Sequence, residues 1–215
     1  MTNYTLNIAI DGTGVSTLAN AQENVVIVKE LPGAGSAYVA WVVTPPANVI
    51  NITWTDNYQV YASTSAIQNG ANIVASAIQP AIPGYQYTLT TTGFDLGQSV
   101  LGQTQMGVVD EDKEFTVHNI PQITSGLIQG AVVGGTQMGN PLNAVTVLYN
   151  QSAIFTPIEK VYVFTAAEIQ GAAVLSSIMG NACMVDLTET STQNIRYDDN
   201  TNEFVPMIPV GAGRR

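Results

Sequence analysis

Trp54-Thr55-Asp56-Asn57-Tyr58-Gln59-Val60-Tyr61-Ala62-Ser63-Thr64 is the stretch on which the reading of the fold turns. Phe155-Thr156-Pro157-Ile158-Glu159-Lys160-Val161-Tyr162-Val163-Phe164-Thr165 echoes it at an offset of 101 (155 − 54). An aromatic residue opens each copy, and Thr, Val, Tyr and the final Thr recur in place. The register runs on into Gly70-Ala71-Asn72-Ile73-Val74-Ala75-Ser76, matched by Gly171-Ala172-Ala173-Val174-Leu175-Ser176-Ser177. This points to an internal duplication of domain-sized units, since solenoid repeats have periods of about 20–50 residues.

Within the stretch, Ile50, Ile52 and Trp54 share one face of a strand, and Tyr58, Val60 and Ala62 share one face of the next. Asp56-Asn57 between them is hairpin-turn chemistry. Ser65 to Val74 is ambiguous. It reads as a hairpin turning at Asn69-Gly70, or as a helix opened by a Ser65/Gln68 capping box. Gly70 and Gly171 weigh against the helix, because a glycine inside one costs about 1 kcal/mol relative to alanine.

Working outward, Tyr4, Leu6, Ile8 and Ile10 alternate along a half-buried strand. Asp11-Gly12-Thr13-Gly14 then reads as a turn; it lacks the glycine spacing and the Gly-Lys-Ser/Thr of phosphate loops. Asn24–Val28, Tyr38–Val43, Tyr85–Thr92, Ala144–Tyr149 and Met184–Thr190 supply further strands. Tyr85–Thr92 and Met184–Thr190 match at offset 98 (187 − 89), and Tyr4-Thr5-Leu6 matches Phe115-Thr116-Val117 at offset 111 (115 − 4). Loops absorb such differences while strands hold register. The acidic run Asp110-Glu111-Asp112-Lys113-Glu114 sits where a linker belongs. The expected fold is all-β: two tandem, internally duplicated, β-sandwich-like units, residues 1–109 and 114–215, joined by an acidic linker at 110–113. The alternative is an α+β chain with one short helix per repeat.

Composition excludes several functions. The chain of 215 residues carries six Lys and Arg against sixteen Asp and Glu, a net charge of −10. Such a surface repels phosphate backbones, so nucleic acid is not an expected partner. Only 10% of residues are charged, so the polar surface rests on Thr, Ser, Asn and Gln. No apolar run reaches the roughly 20 residues of a membrane span. Residues 1–7 show neither a basic nor an apolar signal region, so the expected location is the cytoplasm, or release without a signal peptide. The one cysteine, Cys183, cannot form a disulfide within the chain.

The chemistry-bearing candidates are few. One His (His118) and one Cys do not make a zinc site, and a buried small hydrophobe is the reading preferred for Cys183. Asp110, Asp112 and Glu114 alternate as in a calcium loop, but Phe115 and Pro121 stand where that loop needs Gly and Glu. Asp198, Asn200 and Asn202 form a second oxygen-rich stretch, a weak calcium candidate that also lacks the glycine. No Gly-x-Ser-x-Gly elbow occurs. No cofactor is expected.

The aromatic and amide residues remain. Asp56, Asn57, Tyr58, Tyr61 and Tyr162 are the candidate ligand contacts, Tyr61 and Tyr162 being matched positions that would make two related sites if exposed. Core packing is the preferred role for that matched pair. The differences between the copies, Asp56-Asn57-Tyr58 against Pro157-Ile158-Glu159, are the better place for a site. The expected function is non-catalytic, lectin-like binding of glycans. A structural protein that self-assembles into homo-oligomers through sheet edges is the alternative. An enzyme or a toxin component has no supporting motif.

Overall fold

The computed structural model describes residues 2–31, 36–112, 122–178 and 180–207. It is almost wholly β. The first half of the chain supplies β1 (Asn3–Ala9), β2 (Glu23–Lys29), β3 (Ala37–Val39), β4 (Val42–Thr44) and β5 (Val49–Ser63). These are followed by β6 (Ala77–Ala81), β7 (Tyr85–Thr90), β8 (Gly93–Phe94), β9 (Gln98–Ser99) and β10 (Met106–Asp110). The second half opens with β11 (Gln122–Val133), β12 (Thr136–Pro141), β13 (Asn143–Leu148), β14 (Ser152–Phe155) and β15 (Lys160–Ala167). It closes with β16 (Val174–Leu175), β17 (Cys183–Asp186), β18 (Thr192–Asp198) and β19 (Glu203–Pro206). Among the described residues the one helix is α1 (Gly12–Asn20).

The opening stretch is one long strand, not two joined by a hairpin. Ile50, Ile52, Trp54, Tyr58, Val60 and Ala62 are all buried, and the alternation passes through Asp56 without a change of phase. A strand whose inward face is continuous has no reason to reverse, and this overrides the turn propensity of Asp56-Asn57. The irregularity is a bulge. Tyr58 pairs with Gln129 and Trp54 with Ala131, so residues 55–57 lie opposite Gly130 alone. On the other side of β5, the ladder to β1 ends at Thr55 and the ladder to β6 begins at Tyr58.

β11 runs antiparallel to β5 and is buried along most of its length. Gly126 is required there. A Cβ at this position would run into the Asn143 carbonyl and would lie 2.6 Å from its Oδ1 and 2.9 Å from the Tyr61 ring.

Strands from both halves share the sheets. One antiparallel array has the order β6–β5–β11–β13, and another has the order β17–β15–β2–β4. In the first, β5 takes its central partner from the second half; in the second, β15 takes its partner from the first half. β1 also pairs in parallel with β18, matching Ile8 to Ile195. The third sheet, β14–β10–β7–β8, crosses the halves as well. No sheet is confined to one side of the boundary expected at 110–113. Asp110 and Asp112 of the acidic run are 1% and 5% exposed. One apolar cluster takes Ile52, Trp54 and Val60 together with Ile27, Val161, Val163, Met106 and Ile195.

Three other segments depart from the local expectation. Asp11-Gly12-Thr13-Gly14 begins α1, with the Asp11 side chain accepting the Gly14 N–H at 2.8 Å as an N-cap. Few apolar residues mark this short helix; Leu18 is its buried anchor. Residues 65–75 form neither hairpin nor helix. They run as irregular chain through a turn at Asn69-Gly70, where Gly70 has φ +79°, and touch the second half through a bridge between Asn72 and Ala173. Tyr38–Val43 is interrupted, because Ala40 and Trp41 leave β3 to bond Ala173 and Ile27. His118 and the matched segment 115–117 lie outside the described residues.

Candidate functional site

The run Val25–Val28 of β2 is wholly buried, and it ends in a residue that is also wholly buried, Lys29. An ammonium group can occupy such a place only if it is paired and hydrogen-bonded. The three N–H bonds of Lys29 Nζ are shared among four acceptors: both carboxylate oxygens of Glu159 at 2.8 Å, Gln129 Oε1 at 2.9 Å and the Tyr58 hydroxyl at 3.2 Å. The rings of Tyr58, Trp41 and Trp54 surround it, with centroids at 5.3, 5.9 and 5.9 Å. Their negative faces favour a cation. Burial lowers the Lys29 pKa to about 8, although the Glu159 charge opposes that shift.

Gln129 joins the network to the backbone. Its Nε2 donates to the Thr55 carbonyl at 2.7 Å, and its own carbonyl accepts Trp41 Nε1–H at 2.9 Å. Trp41 meets Trp54 edge-to-face at 5.3 Å. Glu159, immediately before β15, collects the remaining donors: the Tyr58 hydroxyl at 2.8 Å and Trp54 Nε1–H at 3.0 Å. Its side chain is 12% exposed. Burial, with the Glu159 charge beside it, raises the Tyr58 pKa far above that of a free phenol.

Trp54 and Tyr58 also line a cleft of about 860 Å³ where β5 passes from β1 to β6. Tyr4 of β1 lines it too and stacks on Trp54 at 5.8 Å and 22°. Around these rings stand Asn3, Thr5, Thr53, Thr55, Asn57, Gln59 and Gln137, with Pro80, Ala81 and Ile128 as apolar neighbours. None of the lining residues carries a charge.

The residues expected at a site fall in different places. Asn57 and Tyr58 line the cleft. Asp56, beside them, accepts the Thr2 N–H at 3.1 Å. Tyr61 is fully buried and donates to the Asn143 carbonyl at 2.7 Å, so it packs in the core and offers no exposed counterpart to Tyr162. Tyr162 lies on β15, half-buried, with its hydroxyl 3.2 Å from Glu30. In the calcium candidate, Asp198 is occupied by the Asn200 amides and Arg196, and Asn202 accepts the Tyr197 hydroxyl. Among the described residues, no group of three or more His, Cys, Asp or Glu could hold a metal ion. Cys183 is 8% exposed, and burial pushes its thiol pKa up.

Lys29, Trp41, Gln129 and Tyr4 were not legible as site residues. Lys29 left one signal, a charge closing an unbroken β-branched run. Glu159 was visible only as a difference between the copies; it stands 101 residues from Tyr58 and bonds it directly.

Fold and site together define an all-β protein with an aromatic, uncharged cleft backed by a buried ion pair. Among the described residues no helix is long and apolar enough to cross a membrane. The chain matches the family model described as RhiA over residues 1–206, and it belongs to the RhiA family. No curated protein and no solved structure matches it.

Proposed function

We propose that the protein is a non-catalytic binding protein whose cleft takes a neutral glycan. The observation that carries this reading is the cleft lining: the ring of Tyr4, stacked on Trp54, amid amides and hydroxyls with no charged side chain. Sugar rings present C–H faces that stack on aromatic rings, and hydroxyls that pair with Asn, Gln and Thr. An ionic ligand would find no counter-charge among those residues. The volume of about 860 Å³ lies within the roughly 300–1,000 Å³ of small-ligand sites. The reading places one site on each chain, at Tyr4, Asn57 and Tyr58, instead of two related ones.

The test is a neutral-glycan array followed by titration calorimetry. Saturable binding is expected, with Tyr4→Ala weakening it by roughly tenfold, a little over 1 kcal/mol. Absence of saturable binding to every neutral glycan would overturn the reading.

A further inference from the structure

Two of the cleft's three aromatic residues send their polar atoms to a single acceptor outside the lining. Glu159 Oε1 takes the Tyr58 hydroxyl and Oε2 takes Trp54 Nε1–H. The contact continues outward, because Tyr4 rests on Trp54. We propose that Glu159 is the positioning residue of the cleft: its carboxylate sets the orientation of Trp54 and Tyr58, and Lys29 holds that carboxylate in place. This rests on the cleft being the ligand site.

The geometry distinguishes positioning from simple packing. A carboxylate offers two oxygens, here one for each ring donor, and both lie 2.8 Å from Lys29 Nζ. A neutral amide at position 159 has one acceptor oxygen for the same two donors, and its NH2 group would face the ammonium. The elements around the pair contribute to the arrangement: Trp54 and Tyr58 from β5, Gln129 from β11, Trp41 from between β3 and β4, and Tyr4 of β1 through its contact with Trp54. Lys29 itself never reaches the cleft lining.

The chain has two tryptophans, so a ¹H–¹⁵N spectrum has two indole N–H resonances. Trp41, bonded to the Gln129 carbonyl, is the internal reference for Trp54. The variants are Glu159→Gln and the neutral pair Lys29→Met/Glu159→Gln. In Glu159→Gln the Trp54 resonance is expected to move and the Trp41 resonance to move far less. In the neutral pair, stability should recover, because neutral side chains commonly replace a buried ion pair without loss. The Trp54 resonance should stay displaced, and glycan affinity should stay at least about tenfold weaker.

An unmoved Trp54 resonance in Glu159→Gln overturns the inference. So does affinity that returns together with stability in the neutral pair, since that is the behaviour of a merely structural residue. If the wild-type chain binds no neutral glycan, the proposed function falls, while the Trp54 resonance still decides whether Glu159 holds the ring.

Discussion

Lys29 gives the protein a pH-dependent stability whose sign and size follow from its surroundings. In the unfolded chain its pKa is the ordinary 10.5; in the fold burial lowers it to about 8. Below pH 8 both states carry the proton, and the fold bears the full cost of an enclosed charge. Between those two values the unfolded chain holds a proton that the folded chain has lost. Stability therefore rises with pH across that interval and is lost as pH falls through about 8. The whole gap corresponds to about 3 kcal/mol, of which about 2 kcal/mol falls between pH 7 and about 9.5. The upper limit matters, because buried Tyr58 and Tyr61 have raised pKa values. They oppose the lysine once unfolded tyrosines ionise near pH 10. The assay is urea unfolding at intervals from pH 7 to about 9.5, on the wild type and on Lys29→Met/Glu159→Gln. The double variant lacks the pair, so the difference between the curves isolates it. A difference that stays flat with pH would refute the reasoning.

Two substitutions test the core around β11. Tyr61→Phe removes a buried hydroxyl bonded to the Asn143 carbonyl at 2.7 Å and should cost about 1–2 kcal/mol in urea unfolding, with ligand affinity unchanged. A loss of binding without loss of stability would return Tyr61 to the site. Gly126→Ala drives a methyl group into the Asn143 backbone, which cannot move aside without disturbing β13. A loss of about 1–3 kcal/mol or more is expected in the same assay, and a neutral result would contradict the close approach of the two strands.

The all-β class was legible from local pattern, because alternation along Tyr4–Ile10 and the β-branched run at Asn24–Val28 depend only on neighbouring residues. The same dependence on neighbours makes Asp56-Asn57 read as a turn. Local propensity marks those residues as a reversal, whereas the unbroken inward face from Ile50 to Ala62 makes them a bulge within one strand. Helix α1 is not marked in the sequence, because nine residues with one deep anchor give little periodicity.

The site was half visible. Tyr58 and Asn57 stood out as polar aromatic and amide residues beside a chain irregularity, and both line the cleft. Glu159 appeared only as a departure from the repeat. What the sequence by itself determined was therefore strand character, low charge and the residues where the two similar stretches diverge. Only the tertiary structure decided how the halves interleave, with β5 beside β11 and β15 beside β2. It alone put Lys29, 130 residues away, against Glu159. The physical reason is that strand pairing and burial of charge are long-range. A lysine closing an apolar strand is tolerated only where a carboxylate from a distant part of the chain meets it, and local sequence carries no record of that meeting.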